Sequence, residues 1–198
     1  MKTRSVASAA LSLAALLALV GCASTTSTDH MGGMDHGGSS TSAPASAEAN
    51  DDDIMFAGMM KQHHEQAIEM SDMLLGKEGV DERVVALAQR IKAAQRPEIQ
   101  LMDEWLEDWG VDASAMGGMD HGDGMMSESD MQALDDATGA EAGPLFLVQM
   151  IQHHEGAVEM AQDEVDNGRN PDAVALAETV IDAQTEEIAE MEEILATL

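Results

Sequence analysis

Met60-Lys61-Gln62-His63-His64-Glu65-Gln66-Ala67-Ile68-Glu69-Met70 returns 90 residues later as Met150-Ile151-Gln152-His153-His154-Glu155-Gly156-Ala157-Val158-Glu159-Met160. The match extends from Phe56–Leu75 to Phe146–Val165. It then passes, after a one-residue deletion, through Val85-Ala86-Leu87-Ala88 with Val174-Ala175-Leu176-Ala177, Ala94-Gln95 with Ala183-Gln184, Glu98-Ile99 with Glu187-Ile188, and Met102 with Met191. A repeat of this length marks a duplicated supersecondary unit. The apolar residues recur with helical period, so each copy reads as two helices, about 52–75 and 82–109, then about 144–166 and 171–197.

Turn chemistry supports these boundaries. Gly76, Gly79 and Gly168 are expected to end helices through positive φ. Asp81 and Asn170-Pro171 read as helix starts, with Asn170 as N-cap and Pro171 at the first helical position. Pro97 predicts a kink or restart in the second helix. A short helix is expected over 129–137, and it has no counterpart before the first copy. Two hairpins, each with an apolar stripe it cannot bury alone, predict an all-α four-helix bundle of pseudo-twofold symmetry.

Helical geometry of about 100° per residue sorts the faces. With His63 at zero, Phe56, Met60, Ala67, Met70 and Leu74 fall within about 60° of it, whereas His64 lies about 100° away on the flank and Glu65 points outward. His153 repeats this with Phe146, Met150, Ala157 and Met160. On the second helix of each copy, Glu98 and Glu187 also lie mid-stripe. Folding each hairpin about its turn sets His63 level with Gln95 and Met60 with Glu98, and likewise His153 with Gln184 and Met150 with Glu187. A layer of Met, His, Gln and Glu is therefore expected to cross an apolar bundle. Buried imidazole and carboxylate are costly unless paired or ligated.

Two readings of this layer stay open. One is a core hydrogen-bond network that fixes register, with Met as filler. The other is a metal site. Its candidate ligands are Met60, His63, His64, Glu98, Met102, Met150, His153, His154, Glu187 and Met191, with Gln95, Gln184, Met70 and Met160 as second-line positions. Met70 and Met160 stand about 10 Å along the axis from the histidine. Thioether with imidazole favours Cu(I), with Ag(I) similar, over Zn or Fe. No Glu-x-x-His occurs in the sequence, and that spacing is the usual one in di-iron carboxylate bundles. Two Glu and two His still leave a Zn or Fe site open.

Two further segments point the same way. Met-Gly-Gly-Met-Asp-His-Gly occurs at 31–37, preceded by His30, and again at 116–122, followed by Met125 and Met126. Their soft donors, His30, Met31, Met34, His36, Met116, Met119, His121, Met125 and Met126, lie in Gly-rich stretches suited to wrapping a soft ion. The chain has seventeen Met against two Phe, two Trp and no Tyr.

The N-terminus sets the expected compartment. Lys2 and Arg4 precede an apolar run from about Val6 to Val20 that closes on Leu19-Val20-Gly21-Cys22, a pattern resembling the bacterial lipobox. The expectation is a signal peptide over 1–21, lipid attachment at Cys22, and a flexible Ser/Thr/Ala/Gly-rich tether over 22–50. The duplicated bundle then occupies 51–198, with repeat 1 at about 52–109, a Met/His/Gly loop over 110–128 and repeat 2 at about 129–198. The protein would sit in the cell envelope, anchored to the outer face of the cytoplasmic membrane or to the outer membrane. Cys22 is the only cysteine, which excludes an intrachain disulfide or a Cys-based zinc site. The net charge of −29 repels nucleic acid and attracts cations. Nothing resembles a nucleophile–base pair or a phosphate loop, so no catalysis is expected.

The paired Met-x-x-His-His-Glu-x-Ala-x-Glu-Met segments, each followed by Glu-Ile-x-x-Met, resemble the DUF305 family over about 55–109 and 130–197. That resemblance implies a ferritin-like helical bundle in an exported bacterial protein, with copper binding and copper resistance in some members. It carries over to Met60, His63, His64 and Met70, and to Met150, His153, His154 and Met160. The function expected is Cu(I) sequestration or relay, with a metal-handling protein as a partner. A ferritin-like Fe/Zn protein or oxidase and a non-metal interaction lipoprotein are the alternatives.

Overall fold

The computed structural model describes residues 48–111 and 124–198. The expected signal peptide, Cys22, the tether with His30, Met31, Met34 and His36, and the loop positions Met116, Met119 and His121 lie outside the described residues. The described chain is all helical: α1 (Asp51–Leu75), α2 (Glu82–Asp108), α3 (Glu128–Asp136), α4 (Gly139–Asn167) and α5 (Pro171–Leu195). The long helices pair as two hairpins, α1 with α2 and α4 with α5, and α1 packs antiparallel along α4 at the centre. The short α3 lies against α1 and α4. Among the described residues no helix is long and apolar enough to cross a membrane.

Local chemistry accounts for the starts. Asn50 accepts from the Asp53 N–H at 2.9 Å while the Asp53 carboxylate accepts from the Asn50 N–H at 2.6 Å, a reciprocal capping box. Ser127 and Asp130 do the same for α3. Asp81 caps α2 through the Arg83 N–H, and Asn170 caps α5 through Asp172 and Ala173, with Pro171 in the first turn.

Three expectations are corrected. Of the glycines expected to end helices, only Gly79 has positive φ (78°). Gly76 (φ −76°) and Gly168 (φ −62°) end α1 and α4 in ordinary conformations. Gly168 is required for another reason, since a Cβ there would run into the Glu164 carboxyl and backbone carbonyl. The fourth helix begins at Gly139 rather than near 144, and it runs through Pro144. Finally, α2 does not restart at Pro97 but continues through it as one helix. Pro97 and Ala93 are both exposed, so the carbonyl that loses its donor faces water.

The core divides into two apolar halves. One gathers Met70, Leu74, Leu87, Ile91, Phe146, Met150 and Met191, and is covered at its edge by Leu134 and Met126 of the α3 segment. The other gathers Phe56, Met60, Met102, Leu106, Ala157 and Val180. Along every long helix the residues between the halves are polar: His63 and His64 on α1, Gln95 on α2, His153 and His154 on α4, Gln184 on α5, all buried.

Candidate metal centre

The mid-bundle layer is built from the repeated motif. His63 of α1 and His153 of α4 stack across the central interface, ring centroids 3.6 Å apart and planes tilted by 38°. Each comes from the middle of its own stripe. Antiparallel packing of α1 on α4 brings the two equivalent positions together. The fully buried Met60 and Met150 precede them by one turn, in opposite halves of the core.

The second histidines are not on the flank. His64 and His154 are fully buried. His64 Nε2 lies 2.7 Å from Glu98 Oε2, and His154 Nε2 lies 2.8 Å from Glu187 Oε2. The sequence reading treated each helix as having one buried stripe. In the bundle α1 is covered by both α2 and α4, and α4 by both α5 and α1, so the buried arc is wide enough to include position 64 or 154. Glu98 and Glu187, each about one-fifth exposed, therefore face the second histidine of the motif. When Nε2–H donates to the carboxylate, the neutral ring keeps its lone pair on Nδ1. A carboxylate behind an imidazole is the usual way a metal-ligating histidine is oriented and made more basic. Glu65 and Glu155 face solvent, as expected.

Much of the layer is unpaired. Both ring nitrogens of His63 and His153, Nδ1 of His64 and His154, and Oε1 of Gln95 and Gln184 are buried without a hydrogen-bond partner. They are eight of the twelve such side-chain atoms among the described residues. Native interiors leave few buried polar atoms unpaired, and each unpaired atom costs about 1–3 kcal/mol. Burial, with the nearby His64 and His154 rings, pushes His63 down to about 3. Burial and then the His63, His154 and His64 rings hold His153 well below the usual imidazole range, despite a small opposing effect of the His63 backbone. Both rings are thus neutral at physiological pH, the form that ligates metals. Among the described residues no group of three His, Cys, Asp or Glu side chains forms a cage for an ion. The soft neighbours on the same helices are Met60 and Met150, at the i−3 position that shares a helix face with each histidine.

The remaining candidates are dispersed. Met70, Met102 and Met191 are fully buried in the apolar halves, Met70 beside Leu74. Met160 is half-buried on the surface between α1 and α4. Met126 is not a free loop ligand: its side chain is buried, and Gln66 clasps its backbone N–H and carbonyl at 2.8 and 2.9 Å. Met125 is partly buried beside it.

One acidic pair escaped the sequence reading. Glu164, 1% exposed, lies against Asp53 where α1 meets the α4–α5 turn. Burial, then Asp53 and Asp52, push the Glu164 carboxyl up to about 8, so at neutral pH it holds its proton. Burial alone would raise Asp53 as well. It is instead held low by the backbone N–H groups of Asn50, Asn170 and Arg169 and by the Glu164 side chain. A signal was available, because Glu164 aligns with Leu74 in the repeat and is a carboxyl on an apolar stripe.

With this geometry in place, comparison with known proteins identifies the chain. Residues 53–195 match the family model described as Domain of unknown function (DUF305). The chain belongs to the DUF305 family. It is similar to a DUF305 fragment from Deinococcus radiodurans, at 31% identity and TM-score 0.66, covering 76% of this chain and 99% of that one. It is also similar to a DUF305 protein of Streptomyces coelicolor described as secreted, at 31% identity and TM-score 0.68, covering 74% and 93%. A third similar structure is CopM in its Cu(II)-bound form, at 34% identity and TM-score 0.64, covering 73% and 96%. CopM has also been solved Cu(I)-bound, Ag-bound and apo. No curated protein matches this chain. The shared architecture is the all-α DUF305 bundle.

Proposed function

We propose that this DUF305 protein is a non-enzymatic, envelope-anchored binder of soft metal ions that takes Cu(I) first, and that it sequesters or relays copper. The observation that carries this reading is the unpaired imidazole layer. Four buried histidines, two of them backed by carboxylates, leave six ring nitrogens without a partner, and a buried thioether stands one turn from each central ring. A purely structural network would satisfy its own atoms. This one pairs only the Nε2 atoms of His64 and His154. Imidazole with thioether suits Cu(I) and, by the same softness, Ag(I) better than Zn or Fe. The copper- and silver-bound forms of CopM agree with that choice.

His63 and His153, with Met60 and Met150, are the residues assigned to hold the ion. His64 and His154 offer their Nδ1 atoms, and Glu98 and Glu187 act by orienting them. Export and a lipid anchor at Cys22 rest on the N-terminal pattern, and the acidic exterior concentrates cations around the bundle. Competition of the purified apo-protein against a colorimetric Cu(I) chelator tests the assignment. Withdrawal of Cu(I) from micromolar chelator is expected, and no withdrawal would remove the proposal.

A further inference from the structure

An open groove between α1 and α4, starting about one helical turn from the histidine layer, contains a second set of soft donors. Asp52, Met55, Phe56 and Met59 of α1 and Gly156, Glu159, Met160, Asp163 and Glu164 of α4 enclose a cavity of about 400 Å³. Its existence follows from the imperfect duplication. In the other half of the bundle, the equivalent face between Gln66 and Met73 of α1 and Gln149 of α4 is covered by α3. There Met126 and Leu134 pack into the core, and Gln149 donates to the Asp130 carbonyl at 2.9 Å. No described helix plays the part of α3 for the first copy, so the equivalent groove opens to solvent.

Two methionines of the groove stand where the second copy has other residue types. Met55 and Met59 stand where the second copy has Leu145 and Gln149, which serve the α3 interface. Met160 lines the groove, whereas its equivalent Met70 is fully buried in the core. Met55 is 46% exposed. Met55 and Met59, at i and i+4, share one helix face, and Met160 approaches from the facing helix. Three thioethers so placed have little value as core. The buried Glu164, which shares a hydrogen bond with Asp53, also lines the cavity.

We propose that this groove is a second, solvent-facing site for one monovalent soft cation, Cu(I) or Ag(I), held by the sulfurs of Met55, Met59 and Met160. Thioethers are neutral soft donors and select such ions over hard divalent ones. The carboxylates of Asp52, Glu159 and Asp163 supply the compensating negative field. The proposal shares the soft-ion chemistry of the histidine layer but uses none of its atoms, so each can fail without the other.

The test is a silver nitrate titration of the full chain labelled with 13C at its methionine methyls, with imidazole 15N shifts followed in the same samples. The methyls of Met55, Met59 and Met160 are expected to shift together along one binding curve. The Met55→Leu/Met59→Leu/Met160→Leu variant, which keeps the groove apolar, is expected to bind one silver ion fewer while the His63 and His153 nitrogens respond as before. If the three methyls stay still while other methionines saturate, or if the triple variant binds as many ions as the parent chain, the groove is not a site. Movement of the groove methyls with silent His63 and His153 nitrogens would support the groove and remove the buried centre instead.

Discussion

His63 and His153 are residues whose cost and use separate cleanly. Each places a neutral ring with two unpaired nitrogens in the interior. Replacing a buried, unsatisfied polar group by an apolar one of similar size is close to neutral or stabilising. The His63→Leu/His153→Leu variant is therefore expected to melt at or above the parent temperature without metal, and to lose at least tenfold in Cu(I) affinity. Thermal denaturation of apo-protein with chelator competition reads both. A marked loss of apo stability with unchanged affinity would mean that the histidines are structural. The burial of His63 was legible in the sequence, but that of His64 was not. One helical stripe separates positions 63 and 64 by about 100°, and only a third helix packed on α1 buries both. The stacking of His63 on His153 likewise depends on how the repeats meet, which no spacing within one repeat specifies.

At the scale of elements, most boundaries were legible because they rest on local chemistry. Asp81 and Asn170-Pro171 cap helices for reasons contained within four residues. The restart expected at Pro97 does not occur, because the cost of an interior proline depends on where the freed carbonyl faces. That carbonyl faces water here. Restoring the N–H with Pro97→Ala is expected to stabilise the protein by about 1–3 kcal/mol, up to the usual cost of an interior proline. Denaturant unfolding measures it, and a destabilised variant would show that the proline shapes α2 to fit α1. Glu164 was missed for a related reason. Its partner Asp53 reads as an ordinary first-turn acid, and its position on an apolar stripe is visible only against Leu74 of the other copy.

At the scale of the molecule, duplication gives a frame that is broken at two places, α3 and the Asp53–Glu164 contact. The second makes stability depend on pH in a definite sense. The Glu164 carboxyl is raised in the folded protein to about 8, facing Asp53 and Asp52 of α1. Between the ordinary carboxylate range and pH 8 the folded state therefore binds the extra proton. The contribution is fully present below the unfolded pKa and declines as pH rises, until it is gone above about 8. Apo-protein stability is expected to fall over that window, and Glu164→Gln, which stays neutral, is expected to flatten the fall. An unchanged slope in the variant would place the proton elsewhere. The net charge of −29 adds a uniform self-repulsion that salt relieves, so the comparison belongs at constant ionic strength.

The central claim is that the buried histidine layer is a soft-metal site, and the imidazole nitrogens themselves report on it. Silver titration of histidine-15N-labelled apo-protein is expected to shift the His63 and His153 ring nitrogens with saturation. If those nitrogens keep their apo shifts while silver is bound elsewhere, the layer is a structural network and the account is wrong.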